Sequence, residues 1–158
     1  MKQVLSFTLN GSAVDVLVKP TETLLDVLRE QLNFTGMKRG CDDGDCGTCT
    51  VLIDGEPVRS CLTLAVTAVG KDVLTIEGMA KNGQLDPLQK AFVEHGAFQC
   101  GFCTPAMVLV AKSLLDKNPH PTRHDVVYYM SGNLCRCGSY DEIVEAVLAV
   151  ANGKAKEA

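Results

Sequence analysis

The sequence has no tryptophan, and aromatic residues fill only 5% of its 158 positions. It has no basic excess either: 15 Lys and Arg stand against 19 Asp and Glu, a formal charge of −4. Nucleic acid and anionic lipid surfaces both call for a positive footprint, so neither is an expected partner. No apolar run approaches the ~18–20 residues that a membrane-spanning helix needs, so membrane insertion is not expected. The opening stretch, Met1-Lys2-Gln3-Val4-Leu5-Ser6-Phe7-Thr8, alternates polar with apolar and reads as a strand, not as a secretory leader. The expected location is therefore the cytoplasm. The rest of the composition, 46% apolar and 22% charged, is that of an ordinary folded chain.

Cysteine is the residue in excess. Eight are present: Cys41, Cys46, Cys49, Cys61, Cys100, Cys103, Cys135 and Cys137. In a reducing compartment, clustered thiols bind metal or do redox work more often than they pair as disulfides.

Residues 1–80 and 81–158 differ in texture. In the first half, Val4, Phe7 and Leu9 lead to Asn10-Gly11, a hairpin signal, and then to Val14, Val16 and Val18. Pro20 and Thr21 are expected to open a helix bearing Leu24, Leu25, Leu28 and Leu32. A glycine-rich loop follows, then Val51-Leu52-Ile53, a second turn at Asp54-Gly55, and a last strand expected over Val73-Leu74-Thr75-Ile76. The second half reads as four amphipathic helices. They are opened by Asp86-Pro87, by Thr104-Pro105, by Thr122 and by a capping box at Ser139-Tyr140-Asp141-Glu142. The expected fold is α+β: a small sheet domain over 1–80 and an all-α four-helix domain over 81–158. The join falls near Gly78 to Gly83, and Gly153 to Ala158 are expected to fray.

Cys41, Cys46, Cys49 and Cys61 give C-x4-C-x2-C followed by a distant fourth cysteine, the spacing of plant-type [2Fe–2S] sites. A short loop that wraps its own thiolate ligands needs glycine, and Gly36, Gly40, Gly44 and Gly47 lie in it. The N–H groups of such a loop are expected to point at sulfur. Zinc is the alternative, but zinc sites usually pair two C-x2-C knuckles and only Cys46 and Cys49 form one here. Cys100-Gly101-Phe102-Cys103 and Cys135-Arg136-Cys137 form the second set. Each pair follows one expected helix and precedes another, so both can lie at one end of the helices. On spacing alone they fit either a metal site or disulfides. Lys38, Arg39 and Arg136 are candidate cations to offset thiolate charge, Asp42, Asp43 and Asp45 read as solvated loop charges, and His95, His120 and His124 read as surface or packing residues.

Gln99-Cys100-Gly101-Phe102-Cys103-Thr104-Pro105 and Gly132-Asn133-Leu134-Cys135-Arg136-Cys137 resemble the small iron–sulfur subunit of the molybdenum hydroxylases. This is the family of xanthine oxidase, aldehyde oxidoreductases, carbon monoxide dehydrogenase and 4-hydroxybenzoyl-CoA reductase. Gly40 through Thr50 resembles that family's first cluster loop, with Thr48 where many relatives carry alanine. Gly138-Ser139-Tyr140 stands where many carry Thr-Gly-Tyr. The resemblance implies a ferredoxin-like β-grasp domain and a four-helix domain, each holding one [2Fe–2S] cluster. The first would be ligated by Cys41, Cys46, Cys49 and Cys61, the second by Cys100, Cys103, Cys135 and Cys137. It further implies that Gln99 and Cys137 contact a molybdopterin on a separate large subunit, that the first cluster faces an acceptor such as FAD on a medium subunit, and that the assembly is a heterotrimer or its dimer. The chain itself would then be the non-catalytic subunit of an oxidoreductase, passing electrons one at a time. A free two-cluster carrier serving another oxidoreductase is the alternative.

Overall fold

The computed structural model describes residues 1–153. Strands β1 (Gln3–Leu9) and β2 (Ser12–Val18) form the first expected hairpin. Asn10 and Gly11 take φ of 53° and 82°, the left-handed pair that a two-residue hairpin turn demands. Strands β3 (Thr50–Ile53) and β4 (Glu56–Arg59) form the second, through Asp54 and Gly55 at φ of 51° and 83°. Strand β5 (Asp72–Leu74) joins the hairpins, parallel to β1 and antiparallel to β3. The result is a mixed five-stranded sheet in the order β2-β1-β5-β3-β4.

Two expectations in this half shift. The last strand stops at Leu74, because the Thr75 N–H donates to the Asn10 side chain (2.9 Å) and a 3-10 turn, Ile76–Gly78, follows. The helix opens at Thr23, not at Pro20-Thr21. Thr23 Oγ1 accepts from the Asp26 N–H, and the Asp26 carboxylate accepts from the Thr23 N–H, a closed capping box. Helix α1 (Leu24–Asp26) runs straight into a π-helical turn, Val27–Gln31. Leu24, Leu25, Val27 and Leu28 are fully buried, packing in one core with Leu5, Phe7 and Leu9 of β1.

Helices α2 (Pro87–Glu94), α3 (Thr104–Lys117), α4 (Arg123–Met130) and α5 (Tyr140–Ala151) follow. Helix α3 is central: it touches α2, α4 and α5 and also β3 and β4, and it is buried from Ala106 to Ala111. The unbroken apolar run Val51-Leu52-Ile53 has its reason here. Val51 and Ile53 belong to the core under the sheet, while Leu52, on the opposite face, belongs to the core around α3.

The caps at Asp86 and Thr122 form as expected, each a closed box. Two others do not. Cys103, not Thr104, is the N-cap of α3, and Thr104 Oγ1 is buried without a partner. Ser139 is the N-cap of α5, but its side chain makes no capping bond and its Oγ is likewise unpartnered. Its ψ of 33° departs from the extended backbone that lets an N-cap oxygen reach back over the first turn. No helix among the described residues is long and apolar enough to cross a membrane. Of Gly153 to Ala158, which are expected to fray, residues 154–158 lie outside the described residues.

Candidate metal centres

Cys41, Cys46 and Cys49 of the first set are carried by the loop before β3, and Cys61 follows β4. The loop is pinched at its base, where the Lys38 N–H donates to Thr48 O (3.0 Å) and Arg29 donates to Met37 O (2.6 Å). Gly47 has φ of +72°, and a Cβ there would stand 2.7 Å from Gly132 O. Gly40 is required for space: a Cβ would stand 2.7 Å from Thr48 Oγ1 and 2.8 Å from Cys46 Sγ. Cys49 and Cys61 are buried, and Cys41 and Cys46 half-buried. Ser60, fully buried beside Cys61, donates to Cys49 O (2.6 Å), tying the end of β4 to the loop.

The sulfurs sit among donors, as expected of a thiolate-binding loop. The Cys46 N–H donates to Cys41 Sγ (3.4 Å), and the Gly44 N–H lies toward the Cys61 sulfur. Burial raises the Cys46 thiol pKa, but the Thr48 hydroxyl, the Thr48 N–H and Cys41 outweigh it and leave the thiol below its ordinary value. Cys61 goes the other way. Burial, then its contact with Cys49, pushes it up to about 12, so Cys61 stays a protonated thiol unless a cation takes its proton's place.

The second set lies at the start of two helices. Cys100 and Cys103 precede α3, and Cys135 and Cys137 precede α5. Cys103 and Cys135 are buried, Cys137 is half-buried and Cys100 is exposed. Gln99 Nε2 donates to Cys137 O (3.2 Å), so the two loops are bridged at the surface. The Cys135 N–H donates to Tyr140 Oη (2.8 Å). Burial, then Cys135, pushes Cys103 up to about 12. Burial also raises Cys135, but the Ser139 N–H, the contact with Cys103 and the Cys137 and Gly138 N–H groups leave it lowered. The backbone that would have placed Ser139 as a capping residue instead serves the sulfur. Exposed Cys100 is lowered by the Phe102 N–H and by Cys137.

Among the described residues, no group of three or more His, Cys, Asp or Glu side chains converges as the ligands of one ion would. The thiols meet in pairs: Cys41 with Cys46, Cys49 with Cys61, Cys100 with Cys137, and Cys103 with Cys135. All eight are free. Two pairs per site is a donor set that a two-iron core, needing four thiolates, can use.

Both sets open on one cleft of about 400 Å³, whose walls include Cys41, Cys46, Cys100, Cys103, Cys135 and Thr48. The halves are stitched together at this point. The Leu134 N–H donates to Cys46 O (2.9 Å), and Asn133 Nδ2 donates to Gly47 O (2.9 Å). Arg59 Nη2 donates to Gly132 O (2.6 Å).

Of the cations singled out from sequence, Arg39 is committed to Asp26 and Asp42, and Lys38 donates to Thr35 O. Arg136 stands on the wall of the cleft. The cation that sequence reasoning passed over is Arg59, which has no carboxylate partner among the described residues and lies between the two loops. Its only signal is position, two residues before Cys61. Asn133 and the Tyr140 hydroxyl were passed over as well. His95, His120 and His124 are all exposed, as expected.

Residues 7–75 match the family described as 2Fe-2S iron-sulfur cluster binding domain, and residues 75–148 match that described as [2Fe-2S] binding domain. The chain is 48% identical over 146 residues to the nicotinate dehydrogenase small FeS subunit of Eubacterium barkeri, covering 92% of this chain and 93% of that one. It belongs to the small iron–sulfur subunits of the molybdenum hydroxylases. Within this family it is 51% identical over 139 residues to the nicotine 6-hydroxylase small subunit of Paenarthrobacter nicotinovorans, covering 88% of this chain and 84% of that one. Its fold superposes on a chain of quinoline 2-oxidoreductase from Pseudomonas putida 86 with a TM-score of 0.93 at 48% identity, covering 97% and 96% of the two chains. The aldehyde oxidoreductase of Desulfovibrio desulfuricans gives 0.91 at 43% identity, but the match spans only 17% of that longer chain.

Proposed function

We propose that this chain is the electron-transfer subunit of a molybdenum hydroxylase complex. In this reading it holds two [2Fe–2S] clusters and relays single electrons between a molybdopterin site on a large subunit and FAD, or another acceptor, on a medium subunit. The observation that carries the reading is the set of four thiol pairs, three of which reach one cleft, with the Cys49–Cys61 pair buried behind it and the second set coming to the surface at Cys100. Cys41, Cys46, Cys49 and Cys61 hold the first cluster, and Cys100, Cys103, Cys135 and Cys137 the second. Each cluster, when bound, accepts one electron at a time, so two in series divide a two-electron oxidation into single steps. The protein's part is to supply the thiolates, aim N–H groups at them and keep the two sites on a common cleft.

The two family matches meet at Thr75, which supports a ferredoxin-like β-grasp domain followed by a four-helix [2Fe–2S] domain, with the boundary near 80. Gln99 and Cys137 form the contact to the molybdopterin. In its support, the Gln99 side chain is exposed and already bridges to the Cys137 backbone. The complex is a heterotrimer or its dimer. Eight free thiols suit a reducing compartment, so the cytoplasm is its place.

The test is metal content. The chain, tagged in its native host and purified without oxygen, should carry four irons, with molybdenum near one per chain through a copurifying large subunit. Four irons without molybdenum would favour the free carrier, and zinc in place of iron would overturn both. In the intact complex, Gln99→Ala should keep both clusters' EPR signals and slow electron entry from substrate. Unchanged turnover would remove the pterin contact from the reading.

A further inference from the structure

We propose that the Thr48 hydroxyl sets the reduction potential of the first cysteine site by donating a hydrogen bond to the Cys46 sulfur. This rests on the reading of Cys46 as an iron ligand. Thr48 is 5% exposed. Its Oγ1 lies 3.2 Å from Cys46 Sγ and 3.1 Å from Lys38 O. A hydroxyl has one proton and can satisfy one of these acceptors at a time. While Cys46 is a thiol, its own S–H can donate to Thr48 Oγ1, and the hydroxyl proton goes to the Lys38 carbonyl. Bound to iron, Cys46 is a thiolate with no proton to give. The hydroxyl then faces a neutral carbonyl and an anionic sulfur, and charge-assisted hydrogen bonds are the stronger kind. The proton turns to the sulfur, and half-exposed Lys38 can take water in exchange.

A donor aimed at a ligand sulfur stabilises the more negative, reduced state and raises the potential. The contact is built into the loop. The β-branched side chain of threonine is stiff at χ1. Gly40 leaves it room, since a Cβ there would crowd both Oγ1 and Sγ. Its placement also selects which site is tuned. Cys46 lines the cleft shared with the second set, and its carbonyl accepts the Leu134 N–H. Raising this site alone moves its potential up relative to the second and favours residence of the electron on the first.

The experiment is an EPR-monitored redox titration of the iron-loaded complex, with wild type beside Thr48→Val and Thr48→Ser. The wild type must first show four irons and two distinguishable signals; failure there overturns the reading of the ligands and, with it, this proposal, whereas the outcomes below concern the hydroxyl alone. Given those, Thr48→Val should make reduction of the first site about tenfold less favourable, ~59 mV for one electron, with the second site unmoved. Thr48→Ser should stay near wild type. Deuterium oxide should shift the iron–sulfur stretching bands of the first site in wild type and less so in Thr48→Val. If Thr48→Val does not retain iron, Thr48→Ala takes its place. An unshifted first potential in the variant that loads, or a parallel shift of both sites, overturns the proposal.

Discussion

Three of the first four cysteines, Cys41, Cys46 and Cys49, stand within one short loop, whereas 31 residues separate Cys103 from Cys135 in the second set. The first set is therefore shaped by local backbone conformation: a pinched loop, left-handed Gly44 and Gly47, and the excluded Cβ at Gly40. The second is shaped by packing, because its two loops meet only where α2, α3, α4 and α5 bring them together. A loop site should fail through backbone strain and a packed site through core cavities. The two kinds of damage should also be separable by which half of the iron is lost.

The sharpest test is in the helical core. Phe92 on α2 is 1% exposed, and α2 packs on α5, whose start carries the Cys135–Cys137 loop. Phe92→Ala should cost about 3–5 kcal/mol through lost burial and the cavity left behind. Denaturant melts would give the loss. Iron analysis should show two irons gone and the second EPR signal missing, with the first retained. Loss of both signals in a chain that remains folded by circular dichroism would break the comparison.

The loop gives the next effect. Gly47→Ala places a Cβ in a left-handed residue and against Gly132 O, where a side chain must push backbone aside. The conformational part alone is about 1–2 kcal/mol. The first signal should broaden or vanish. The second should weaken less, even though the neighbouring Asn133, which donates to Gly47 O and is 3% exposed, lies only two residues before Cys135. An unaffected first signal would show that the loop's shape is imposed from outside it.

The same division decides what could be read from the sequence. Hairpins at Asn10-Gly11 and Asp54-Gly55 were legible because the turn residues themselves carry the positive φ. So was the glycine-rich loop that carries Cys41, Cys46 and Cys49, whose shape is local. The start of α1 was not. Pro20, Thr21 and Thr23 are all plausible openers, and the choice is made by distant acceptors: the Leu24 N–H donates to Thr63 O (2.7 Å) and the Leu25 N–H to Ser60 O (3.1 Å). Ser139 failed for a similar reason. Its Ser-x-x-Glu pattern is local, but the turn before α5 is bent to present N–H groups to Cys135. Arg59 and Asn133 were invisible because their partners lie 73 and 86 residues away in the chain.

The smallest effect comes from a contact between the halves that lies away from the thiols. Ser113 on α3 is fully buried; its hydroxyl donates to Gly55 O (2.8 Å) in the β3–β4 turn and meets the Tyr129 hydroxyl at 3.0 Å. Ser113→Ala removes the donor and leaves the Gly55 carbonyl to find water at the edge of the joint. The cost should be about 1 kcal/mol, a drop of about 2–4 °C in Tm for a chain of this size. Both sites should keep their iron and their potentials, since the residue touches neither cysteine set. That outcome would leave Ser113 a purely mechanical joint, distinct from the Leu134, Asn133 and Arg59 contacts beside the cleft. A shift in either potential would mean that the angle between sheet and helices, and not the contacts around the cleft alone, sets how the two sites share an electron.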